Sequence, residues 1–102
     1  MKNTVLELVV RNHPGAMMHI CSLFARRVFN LDGILCMPDA DEATSRMWLR
    51  VCEDERMPQV VLQLEKLEDV YKVSEHGASH EVFSQLECYF RKAVDGSVDP
   101  SL

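Results

Sequence analysis

Apolar positions along this chain alternate, then recur at three and four, then alternate again, and each change of period marks an element. The stretch "TVLELVVR", Thr4 to Arg11, is β-branched and aliphatic with Leu6, Leu8 and Val10 on one side, so it predicts a strand. From Gly15 to about Phe29 the spacing shifts. Met17, Met18, Cys21, Phe24, Ala25 and Val28 form a stripe, and His19, Ser22, Arg26 and Arg27 fall largely opposite, which predicts an amphipathic helix of about four turns. "NLDGILCMP", entered through Asn30 and closed by Pro38, predicts a second strand, and "DADEATS" a polar turn. In "RMWLRVC", residues 46–52, Met47, Leu49 and Val51 alternate with Arg46, Trp48 and Arg50, a third strand paired to the second as a hairpin. "EDERMPQ" opens a second helix with acids in its first turn and a stripe of Met57, Val60, Val61, Leu64 and Leu67. "EDVYKVSE" supplies a fourth strand.

The order βαββαβ is that of the ferredoxin-like α+β fold, an antiparallel four-stranded sheet with both helices on one face. Residues 1–75 form this domain and 76–102 an extension. In the extension Val82, Phe83, Leu86, Tyr89, Phe90 and Ala93 predict a third helix over about 79–94, and "DGSVDPSL" a frayed tail. On the sheet's other face lie Val5, Glu7 and Val9 with Arg46, Trp48 and Arg50. That mixed face and the exposed edge strands favour association with a partner over simple packing of the tail.

Composition narrows the function classes. With 102 residues, 47 % hydrophobic and 26 % charged, the chain is an ordinary folded globule. No apolar run approaches the ~20 residues of a membrane span. "MKNTVLELVV" lacks a signal-peptide pattern, so a cytoplasmic location is expected. A net charge of −5 with one basic doublet, Arg26-Arg27, disfavours nucleic acid. Cys21, Cys36, Cys52 and Cys88 are widely spaced, and three sit in apolar stretches as small core residues. His76 and His80 in "HGASH" lack the further ligands a zinc site needs, so no metal is expected.

The loop Asn12-His13-Pro14-Gly15-Ala16 joins the first strand to the first helix. Helix N-terminal amides receive carboxylates or phosphates. Asn12 suits either a helix cap or a ligand's polar group, Pro14 presets the first helical turn, and Gly15 admits close approach. Taken by itself, the stretch reads most economically as a capped turn. His13 has no nucleophile beside it in sequence, and paired acids, a phosphate cradle and a metal cluster are all missing, so catalysis is not expected.

The stretch "LELVVRNHPGAMMHICSLFARRVFNLDGILCMP", followed by "SRMWLRV" and "QLEKLEDVYKV", resembles the small regulatory subunits of acetolactate synthase, particularly their short isozyme I form, over about residues 3–74. The resemblance implies an ACT domain, the amino-acid-sensing version of this fold. It implies a homodimer that binds valine between protomers. The partner it implies is the large catalytic subunit, whose activity the small subunit raises and places under feedback inhibition. Thiamine diphosphate, FAD and magnesium would belong to that partner, with none in this chain. By motif position the effector ligands would be Asn12, Gly15 and Asn30, with His13, Pro14, Ala16 and Met17 as loop and pocket walls and Ile34 and Met37 lining the side-chain pocket. Longer members carry a second domain where this chain has a short segment, and Met37 stands where they have a smaller residue. Two rivals are an ACT sensor of another amino acid and an acyl-phosphate hydrolase on the same fold. The second would work through Arg11 and Asn12, without a glycine-rich cradle. A sheet-face RNA binder fits poorly, since Trp48 is the one aromatic on the proposed open face.

Overall fold

Alternation becomes burial along the first strand, β1 (Asn3–Arg11), where Leu6, Leu8 and Val10 are sealed from water. A computed structural model of the chain describes residues 3–52, 55–77 and 81–94. After β1 come α1 (Pro14–Arg26), β2 (Leu31–Pro38), β3 (Thr44–Cys52), α2 (Met57–Lys66), β4 (Val70–Gly77) and α3 (Glu81–Val94). The sheet order is β2-β3-β1-β4 with every neighbour antiparallel, the ferredoxin-like arrangement expected from the pattern. One core joins Leu6 and Leu8 of β1, Ile20 and Phe24 of α1, Met47 and Leu49 of β3, and Val60 and Leu64 of α2, so α1 and α2 share one face.

The first helix ends three residues earlier than its stripe predicts. Arg27 is the C-cap and Val28 takes φ 60°, the left-handed region. The Phe29 amide donates to the Phe24 carbonyl (3.0 Å) and the Val28 amide to that of Ala25 (3.1 Å), the paired bonds of a Schellman stop. Arg56 reinforces it, donating from Nη1 to the Arg27 carbonyl (2.6 Å) and lying 4.5 Å from the Phe29 ring centroid. A β-branched residue in this conformation is strained by about 1–2 kcal/mol, and Val28 is 81 % exposed, so its side chain recovers little of that by burial. Val28→Gly is therefore expected to stabilise the fold by about 1 kcal/mol, less the entropy glycine adds to the unfolded chain. A higher urea midpoint at unchanged slope is the measurement.

Three other expectations need correction. The second helix has no acid in its first turn. It starts at Met57 behind an Arg56 N-cap, Glu55 precedes it, and Glu53 and Asp54 lie outside the described residues. The fourth strand begins at Val70 and runs to Gly77, two residues past the expected domain edge. Its predicted start is displaced because Asp69 is in the preceding turn, where its carbonyl accepts the Arg11 amide (2.8 Å). Val5 is fully buried although it lies on the face away from α1 and α2, because α3 covers that end of the sheet. Register places Gly33, Arg50 and Val5 in one row, and Phe83 of α3 sits over it, 5.7 Å from the Arg50 guanidinium. The predicted start of the third helix at Ser79, His80 of the "HGASH" pair and the predicted frayed tail fall outside the described residues.

Candidate functional site

The β1–α1 junction is held by two sets of bonds. The Asn12 amide donates to the Ala43 carbonyl (3.0 Å), and its side-chain Nδ2 to the Glu42 carbonyl (2.7 Å). Asn12 is thus committed to the β2–β3 turn, and the helix cap is His13. Its Nδ1 accepts the Gly15 amide (3.1 Å) and its carbonyl the Ala16 amide (3.0 Å). Pro14 occupies the first helical position, where its missing N–H costs no bond. The two amides that a helix start would offer an anion are accordingly satisfied within the loop.

A cleft of ≈ 230 Å³ opens beside this loop, with Asn12, His13, Pro14, Ala16 and Met17 on one side and Cys36, Ser45 and Met47 on the other. Of the nine residues singled out from sequence, these five meet there. Ile34 lines a different cleft, formed by the β2 edge and α3. Asn30 is exposed and donates through Nδ2 to Asp32 Oδ1 (3.0 Å), and Met37 is 60 % exposed on β2. The cleft residues that sequence reasoning missed, Val10, Cys36, Ser45 and Met47, are placed by register, and Arg11, named there only for the hydrolase reading, joins them. Val10 pairs with Ser45, and Cys36 with Met47, so the hairpin brings them to the end of β1. The alternation of β1 and β3 contained that signal once their pairing was fixed. Burial pushes the thiols of Cys21 and Cys36 up, with Cys21 adding to the effect on Cys36, which keeps both protonated near neutral pH.

The family model of the AHAS small subunit-like ACT domain matches residues 6–72. The acetolactate synthase isozyme 1 small subunit of Escherichia coli K12 is 48 % identical over 89 residues, 87 % of this chain and 93 % of that protein. The chain belongs to the acetolactate synthase small-subunit family.

The isozyme 3 small subunit of the same organism is 34 % identical over 83 residues, covering 80 % of this chain and 51 % of that one. The crystal structure of the acetolactate synthase small subunit from Thermotoga maritima superposes with a TM-score of 0.66 at 32 % identity, over 74 % of this chain and 47 % of that chain. The family-model match runs from within β1 to the first three residues of β4, and α3 lies beyond that match. No helix among the described residues is long and apolar enough to cross a membrane. These residues also bring no three His, Cys, Asp or Glu side chains together as a metal cluster.

Proposed function

We propose that this chain is a regulatory subunit that binds valine between two copies of itself and, with a large catalytic acetolactate synthase subunit, raises that partner's activity and confers feedback inhibition. The family supports the partner, and thiamine diphosphate, FAD and magnesium belong on that partner in this reading. The observation that carries the effector site is the division of its candidate residues. Asn12, His13, Pro14, Ala16 and Met17 wall a cleft at the loop, whereas Asn30, Ile34 and Met37 lie along or before the edge strand β2. A second copy meeting this one along β2 brings Asn30 and the β2 residues of one protomer toward the loop of the other. An aliphatic side chain then finds Met17 and Ile34, and the ligand's polar ends find Asn12, Gly15 and Asn30. Valine seated across two chains stabilises the dimer by mass action, and its effect on the partner requires unequal affinity for two states of the complex.

At ten times its Kd, L-valine is expected to add about 1.4 kcal/mol to stability and so raise Tm by several degrees, while D-valine does not. Asn12→Ala is expected to abolish that shift. Thermal unfolding of both proteins, followed by pull-down and assay of the large subunit with and without valine, checks the reading. An unchanged valine response in Asn12→Ala counts against the loop as the site.

A further inference from the structure

The third helix is covered at one end only. Phe83 is buried over Gly33, where a Cβ would come within 2.6 Å of the ring, and its centroid lies 5.7 Å from the Arg50 guanidinium. Arg50 in turn donates from Nη1 to Glu87 Oε2 (3.3 Å). Gly33 belongs to β2 and Arg50 to β3, so these ties seat the helix on the β2 side of the sheet. Beyond them burial falls away along the apolar stripe. Leu86 is half-buried, Tyr89 is 50 % exposed and Phe90 66 %. A stripe that continues past its own core marks a contact with a second body.

The uncovered end stands beside a cleft of ≈ 220 Å³ at the edge of β2, with Gly33, Phe83, Leu86 and Phe90 among its walls and Asp32 at its rim. Glu87, also in the lining, is taken up by Arg50 and by Arg91 (2.7 Å) of its own chain, and these two cations hold its carboxyl below the usual range. Asp32 is met by the neutral Asn30 side chain (3.0 Å) and keeps its negative charge uncompensated among the described residues. The helix end carries the opposite sign, because Lys92 follows Phe90 in the last turn and is exposed. Cleft and helix end are thus complementary in character, an apolar recess with an acid beside it and an aromatic side chain with a base beyond it.

We propose that the occupant of this cleft is the α3 end of a second copy of the chain. Phe90 of each copy packs on Leu86 and Phe90 of the other, and the last turn of each brings Lys92 toward the Asp32 rim opposite. The inference rests on the reading that two copies meet along β2, and it adds a second tier to that contact on the sheet face away from α1 and α2. Joined strands lie ~4.8 Å apart, so a ring seated over β2 stands about one strand from the second copy's β2 and from the helix above it. A two-fold contact repeats itself, which is why one surface must carry both the recess and the group that fills it. Aromatic side chains buried at the centre of such a contact supply much of its affinity.

The test is sedimentation equilibrium of the full chain, with and without saturating L-valine. The native chain is expected to dimerise in both conditions. Phe90→Asp should weaken the dimer at least tenfold in both, with an unchanged circular dichroism spectrum, since this ring lies outside the chain's own core. Lys92→Glu should weaken it severalfold, and joining it to Asp32→Lys should recover most of that loss, which a defect in folding would not do. Asn12→Ala should leave the valine-free dimer as it is and lose only the tightening by valine, so the loop and the helix are read separately. A dimer of unaltered affinity in Phe90→Asp overturns the proposal and leaves contact along β2 standing. If that variant also escapes pull-down by the large subunit, the cleft belongs to that subunit instead. A native chain that stays monomeric at every concentration, with valine and without, overturns both the proposal and the reading beneath it.

Discussion

Phe24→Ala is expected to lower the unfolding free energy by about 3–5 kcal/mol, a large share of the ~5–15 kcal/mol available to a domain of this size. The ring is fully buried between α1 and the sheet, and it has a second role at the helix end. Its carbonyl accepts the Phe29 amide, and its ring meets that of Phe29 edge-on, with centroids 6.2 Å apart and planes at 87°. That is the hydrophobic contact accompanying a Schellman stop, and Arg56 covers the Phe29 side of it. Truncation leaves a cavity and loosens the turn that feeds β2. Urea unfolding of Phe24→Ala beside Phe24→Leu measures it. A loss under about 1.5 kcal/mol for the alanine variant would remove Phe24 from the centre of the core.

The second large effect belongs to Glu7, on the sheet face away from α1 and α2. Its side chain is 15 % exposed and meets Arg46 at one oxygen, and His76 Nε2 at the other (2.9 Å). An ionised carboxylate can only accept, so Nε2–H of His76 donates. Burial pushes the Glu7 carboxyl up, but the hydrogen bonds and charges of His76 and Arg46 together outweigh it and hold the group below its usual range. The sign follows from that depression. The bonded carboxylate stabilises the fold at pH above its unfolded value, and the contribution disappears as pH falls through the lower folded value. Glu7→Gln is expected to cost about 2 kcal/mol at neutral pH, because Arg46 and His76 are partly solvated and lose only part of a charged hydrogen bond's worth. The variant should also show a shallower acid limb in a plot of stability against pH. Glu87, likewise depressed, supplies a remaining slope. Chemical denaturation from neutral pH down to the acid transition checks both, and parallel limbs for the two proteins would contradict the role given to Glu7.

The strands were legible because a buried face imposes a period of two on Leu6, Leu8 and Val10 and on Met47, Leu49 and Val51, and few other residues disturb it. The end of α1 was not. Val28 continues a helical stripe in sequence, yet its left-handed backbone takes it out of the helix, and no residue-level preference forecasts a valine there. Asn12, which in sequence suits either a helix cap or a ligand's polar group, does not cap for a related reason. Asparagine is the better cap locally, but the β2–β3 turn, thirty positions away in sequence, takes its side chain, and the histidine beside it caps instead. The family motif identified the loop at once, while Cys36, Ser45 and Met47 became part of its surroundings only through strand register. Burial of Val5 depended on where α3 lies, which the helical stripe of residues 82–90 does not specify.

The cap at His13 sets a threshold for whatever enters the loop. Its ring nitrogen is an internal competitor, covalently tethered to the amide it occupies, so a carboxylate reaching Gly15 must first displace it. A cap of this kind is worth about 1 kcal/mol, which weakens an incoming anion roughly fivefold at any concentration. The fold thereby fixes how much free effector must accumulate before that amide changes hands.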